Sequence, residues 1–215
     1  MESVYLKGKE KEKEKLAGSV NLKRIEHTIY FSDRITHTTA HLLQIMLKSC
    51  ELDILDDCEK MRASVTKDAD KLKYAYVRIE PKPIVLYLTT YGGLVHAALA
   101  IVDTIQSLKV PVHTVVSGYV ASAGTLLSLA GAKRYMTPNS FMMVHEIRSG
   151  FWGKYSDARV EYENVSKIME HIIQYYLDKT KIPRDKLTEM LRTDTDLTAK
   201  ECLDLGLVDL VSCSL

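Results

Sequence analysis

Between Pro83 and Ala132 the chain repeats one unit: an apolar run, a glycine-bearing turn and an amphipathic run of helical period. "PIVLYLTT" leads through "YGG" into "LVHAALAIVDTIQSL", and "VPVHTVVSG" leads into "ASAGTLLSLAGA". Apolar strands alternating with helices predict βαβ units around a parallel sheet covered on both faces. "KRYMTPNSFMMVHEI" then predicts two short strands about a Pro-Asn turn. The fold class is α/β, with a mostly parallel sheet and flanking helices.

The flanks add to this centre. "HTIYFSDRI" predicts a short strand and turn, and "THTTAHLLQIMLKSCEL" a helix. Residues 53–82 are charged and separate two core-like pieces, which predicts a surface insertion built from a helix and a hairpin arm. Beyond the sheet, a long helix is expected from about Ser156 to Lys179, with Val165, Ile168, Met169, Ile172, Ile173 and Tyr176 on one face. A shorter helix follows near Pro183 to Arg192. In "LTAKECLDLGLVDLV", Thr198 and Glu201 have capping-box spacing and Gly206 can stop the helix before a last strand. Residues 1–24 read as a charged tail, with Lys and Glu interleaved from Lys7 to Lys15. One domain is expected over 25–215.

Charge and cysteine usage narrow the function classes. Lys and Arg number 29 against 28 Asp and Glu, a net charge of +1, which gives no footprint for nucleic acid or an anionic membrane. Cys50, Cys58, Cys202 and Cys213 form no C-x-x-C pair and have no zinc-like spacing to histidine, so free thiols, no metal and a cytoplasmic location are expected. The first residues are charged where a signal peptide needs an apolar segment. Tyr119 to Ala132, the most apolar stretch, is too short and too rich in Gly and Ser to span a bilayer.

The candidate chemistry starts at "GYVASAGTLL". Ser122 falls where a strand turns into a helix, the place where ligands in α/β proteins meet exposed backbone amides. It is either an ordinary helix N-cap or a nucleophile kept accessible by alanines on both sides. A serine nucleophile needs a base, and the base an orienting acid. His145 leads as base because it ends the strand "FMMVHEI"; His27, His37, His41, His96, His113 and His171 fall at positions explained by packing or solvation. "TTYGGLV" places Gly92 and Gly93 at a second strand–helix turn, where the amide of Gly93 can join that of Ala123 in an oxyanion hole. Residue pattern alone does not choose between Asp194 and Asp196 as the acid.

The ordered set "YLTTYGGLV", "GYVASAGTLLSLAGAKRYMTPNSFMMVHE" and "DTDLTAKECLDLGLVD" resembles the proteolytic subunit of the Clp protease, the ClpP family, from about Ile25 to Val211. The resemblance implies a ClpP/crotonase-like fold with a long protruding helix. By motif position it implies Ser122 as nucleophile, His145 as general base and Asp194 as the acid, with Gly93 and Ala123 at the oxyanion hole. It further implies a serine endopeptidase acting on polypeptides inside a homo-oligomeric ring chamber, two stacked heptamers joined partly by the long helix. No G-x-x-x-x-G-K-[ST] loop is present, so ATP is expected only through a separate Clp-type AAA+ ATPase and no cofactor in this chain. Where the family has Gln or Asn after the histidine, then Pro and a Gly-rich stretch, this chain has "HEIRSGFWGK". Two other readings stay open: a crotonase-like acyl-CoA enzyme, which shares the two-amide hole without an acyl-enzyme serine, and a catalytically silent ring or scaffold subunit.

Overall fold

The computed structural model describes residues 20–67 and 79–213. The Lys/Glu run of the tail and the middle of the 53–82 segment lie outside them. The described chain runs β1 (Leu22–Ile25), β2 (Thr28–Phe31), α1 (His37–Lys67), β3 (Ile84–Thr90), α2 (Val95–Ser107), β4 (Val112–Ala121) and α3 (Ala123–Leu129). It continues through β5 (Lys133–Met136), β6 (Phe141–Val144), α4 (Tyr155–Lys179), α5 (Arg184–Arg192), β7 (Thr195–Thr198), α6 (Ala199–Asp204) and β8 (Leu210–Val211). The strands form one sheet ordered β1-β2-β3-β4-β5-β8, with β6 paired to β4 and β7 paired to β6. Only β1 with β2 and β6 with β7 are antiparallel. The mixed α/β class with a mostly parallel sheet is therefore the architecture observed.

β4 is the spine and is used twice. Its first half pairs with β3 and β5, through Leu86↔Thr114 and Val115↔Tyr135 among others. At Gly118, whose φ is 78°, the strand bends rather than ends, and its second half pairs with β6 through Tyr119↔Phe141 and Ala121↔Met143. The Gly118 N–H donates to Ser140 Oγ at 2.7 Å, which fixes the bend against the start of β6. The sequence "VPVHTVVSG" suggests a strand ending at this glycine. The left-handed φ instead lets pairing resume on a new neighbour, three residues further on.

α1, α2 and α3 pack on one another as a layer over the sheet, whereas strand residues facing the other way, such as Tyr30, Tyr87 and Thr89, are half-buried or exposed, so the cover expected on both faces is not what is observed. α1 buries Ala40, Leu43, Leu47, Cys50, Ile54 and Cys58, a stripe spaced by three and four residues. The first part of the segment read as an insertion is thus the continuation of α1: Ile54 and Cys58 sit in the core, and the charged residues between them face solvent. Every residue of α3 is buried. α4 buries only Ile172, Ile173 and Tyr176, near its C-terminal end, while Tyr155, Val160 and Tyr162 toward its start are exposed. Thr198 and Glu201 close the expected capping box on α6. Arg134, on β5, donates to the Asp209 carboxylate and to the carbonyls of Lys179 and Gly206, at 2.7 and 3.0 Å, so one guanidinium joins β5, the end of α4 and the approach to β8.

Leu88 is fully buried between Phe31 of β2 and Val116 of β4. Leu88→Ala is expected to lower unfolding stability by about 3 kcal/mol, the usual cost of a truncated core leucine. Urea denaturation measures it, and a loss below about 1 kcal/mol would show that this layer is not the centre of the core.

Candidate active site

Parallel register brings three strand ends to one edge. β3 ends at Thr90, which pairs with Val120, so the turn 91–93 lies beside the exit of β4 at Ala121. β6 runs parallel to β4 with Ala121 opposite Met143, and the Ser122 N–H donates to Met143 O at 2.8 Å. His145 follows β6 directly. β7 is antiparallel to β6 with Val144 opposite Thr195, so the next step along that ladder sets Asp194 beside His145. The carboxyl ends of strands in an open α/β sheet are where such folds place their sites.

Ser122 does not act as a cap. It precedes α3 with φ 57° and ψ −132°, and its side chain makes no capping hydrogen bond. That backbone region is adopted freely only by glycine and costs about 1–3 kcal/mol for a serine. Gly92 is the reason this turn fits: a Cβ there would lie 2.7 Å from both Ala121 O and Ser122 Cβ. Gly93 is held as closely, since a Cβ on it would reach Ile35 O at 2.0 Å. The 91–93 turn is pinned by Ile35 N–H to Gly92 O (2.8 Å), Leu94 N–H to Ile35 O (2.9 Å) and Gly92 N–H to Thr90 Oγ1 (3.0 Å). Among the described residues, the N–H groups of Gly93 and Ala123 have no hydrogen-bond acceptor.

Ser122, Ala123, Gly92, Gly93 and His145 line one cleft of about 700 Å³. Its deeper wall is apolar, from Val95, Leu126, Met143, Ile172 and Tyr176. The Tyr176 hydroxyl is hydrogen-bonded to Thr125 Oγ1, and burial pushes its pKa up to about 12, so it stays neutral. Asp33, Arg34, Glu146 and Arg148 supply charge at the cleft. Pattern reading did not pick out the 32–34 segment, which follows an early strand and carries no motif.

The two candidate acids part company here. Asp196 accepts from the Tyr119 hydroxyl at 2.9 Å. Asp194 is ion-paired with Arg148, and it does not line the cleft. His145 is half-buried with its Nδ1 unpartnered, and among the described residues no hydrogen bond joins it to Ser122 or to Asp194. Burial lowers the His145 pKa from the ordinary 6.5, the Arg148 cation pushes the same way, and Asp194 and Glu146 act against them. The fold thus gathers serine, histidine and both amides at one cleft and brings the Asp194 backbone alongside, while its carboxylate points to Arg148.

A family model described as Clp protease matches residues 34–214. The chain belongs to the Clp protease family. It is 37% identical over 143 residues to ATP-dependent Clp protease proteolytic subunit 1 of Chlamydia pneumoniae, a match covering 65% of this chain and 75% of that protein. It is 36% identical over 130 residues to the ATP-dependent Clp protease proteolytic subunit of Deinococcus radiodurans, covering 60% of this chain and 64% of that one. The family match takes in β3 to β8 and both glycine turns.

The Ser122 backbone gives a test independent of activity. Ser122→Gly is expected to be more stable than Ser122→Ala by about 1 kcal/mol, because glycine adopts φ 57° without strain. Denaturant curves of the two variants decide it. Equal stabilities would mean the left-handed turn is relaxed away in solution.

Proposed function

We propose that this chain is a ClpP-type serine endopeptidase, with Ser122 as nucleophile, His145 as general base and Asp194 as the acid that orients it. The observation that carries the reading is Ser122 itself: a strained, uncapped serine facing a cleft that also holds an imidazole and two unpaired amides. In the proposed reaction Ser122 Oγ bonds to the peptide carbonyl carbon as its proton passes to His145 Nε2. The C–N bond breaks when His145 returns that proton to the leaving amine, and water then hydrolyses the ester by the same base. The Gly93 and Ala123 amides stabilise the oxyanion, each by about 2.7–4 kcal/mol. These steps use only groups of this chain. The apolar cleft wall suits an apolar substrate side chain.

The relatives are named as proteolytic subunits of ATP-dependent proteases, which supports a separate ATPase as the source of unfolded substrate here; the ring of identical subunits proposed with it comes from the family resemblance. The exposed aromatic start of α4 is a suitable surface for subunit contact. One observation favours a silent ring subunit instead: His145 Nδ1 has no partner. An acyl-CoA enzyme has no need of Ser122 in its strained turn.

A fluorophosphonate probe is expected to label the assembled protein at Ser122, and Ser122→Ala to abolish labelling and cut short-peptide hydrolysis on the order of 10⁶-fold. Hydrolysis that persists in Ser122→Ala excludes the assignment. The pH profile gives a second check. His145 must be neutral to act as base and its pKa is lowered, so activity should survive below the usual imidazole range and fall with an acid limb centred below 6.5. A midpoint at or above 6.5 would remove His145 from the role.

A further inference from the structure

We infer that Arg148 is a positioning residue that competes with His145 for the Asp194 carboxylate and so holds the hydrolytic site short of full alignment. The inference rests on the peptidase reading given above. The β6–β7 ladder delivers residue 194 to the position beside His145, yet the carboxylate is ion-paired to the Arg148 guanidinium. The group left over is His145 Nδ1. It is one of two buried side-chain polar atoms without a hydrogen-bond partner among the described residues, the other being Ser128 Oγ. Buried donors in folded proteins are paired as a rule, so a missing partner next to a diverted carboxylate has a ready explanation. The cation holds the Asp194 carboxylate, and the imidazole on which that carboxylate acts electrostatically is left without an acceptor at Nδ1.

The consequence for the reaction is electrostatic. Proton transfer from Ser122 makes an imidazolium, which a free Asp194 carboxylate stabilises and a neighbouring guanidinium opposes. The charged groups around His145 are Glu146 and Arg148 on its own segment, Asp194 ahead of β7, and Asp33 and Arg34 across the cleft; α3 contributes Ala123 and Leu126, and α4 contributes Tyr176. Of these, Arg148 both carries the opposing charge and holds the acid. The arrangement can move: residues 145–154 have no regular secondary structure, and the Arg148 side chain is 71% exposed. An exposed ion pair is weak, so the restraint is a bias, worth roughly two- to fivefold in rate.

Arg148→Gln in the full assembled chain tests this, with short-peptide hydrolysis and fluorophosphonate labelling as readouts. The expected result is a kcat gain of roughly two- to fivefold, a smaller gain for Arg148→Lys, and no gain from Arg148→Gln in an Asp194→Asn background. The acid limb of the pH profile should move to higher pH, because a cation that lowers the His145 pKa is gone. An unchanged or lower kcat overturns the inference, as does a gain that survives Asp194→Asn. If a natively folded Arg148→Gln and the parent both escape labelling at Ser122, the peptidase reading itself fails; labelling without the kcat gain removes only the role of Arg148.

Discussion

The parallel hydrogen bonding of β4 to β3 on one side and β6 on the other is what the rest of the molecule depends on. Because all three strands run the same way, their carboxyl ends finish at one edge, and the turns that follow must pack against one another. Gly92 then lies in contact with the Ser122 turn, and His145 emerges one residue beyond β6. The antiparallel β7 brings the acid in from the opposite direction. A sheet of this kind assembles distant residues with no contact among their side chains being required first. Backbone geometry does the gathering, and side chains settle the chemistry afterwards.

Departures from ordinary geometry collect at the same edge. Among the described residues, three that are not glycine have positive φ: Glu26 in the β1–β2 turn, Ser122 and Asp194. Two of the three are the proposed nucleophile and acid. Beside them stands a buried imidazole nitrogen without a partner. Local strain and an unsatisfied polar group, each costing stability, are expected where function and not folding sets the sequence. The surrounding layers of Leu86, Leu88, Val116, Leu126 and Leu127 are closed and apolar, which is what lets the edge remain strained.

Much of this was legible in the sequence. The strands and helices from Pro83 onward show themselves through apolar runs and glycine turns, and Ser122, His145, Gly93 and Ala123 stand at the junctions that the pattern predicts. The length of α1 was hidden, because "ILDDCEK" carries only Ile54 and Cys58 to the core amid four charges, a stripe too thin to mark a helix. The continuation of β4 past Gly118 was hidden for another reason: a glycine reads as a stop, and only the presence of Ser140 and β6 turns it into a bend. The pairing of Arg148 with Asp194 had no sequence signal, since it exists through the β6–β7 register and side-chain direction, which pattern does not encode.

Arg134 has a consequence for how the molecule comes apart. One nearly enclosed cation collects the far end of α4, the turn after α6 and the carboxylate that precedes β8, so these pieces share a single fastening. β8 itself is only two residues long and could not hold its place through ladder bonds alone. The carboxy-terminal quarter is therefore expected to open as one cooperative block, and because β7 is laddered to β6 its opening would carry Asp194 away from the strand ends where β3, β4 and β6 meet.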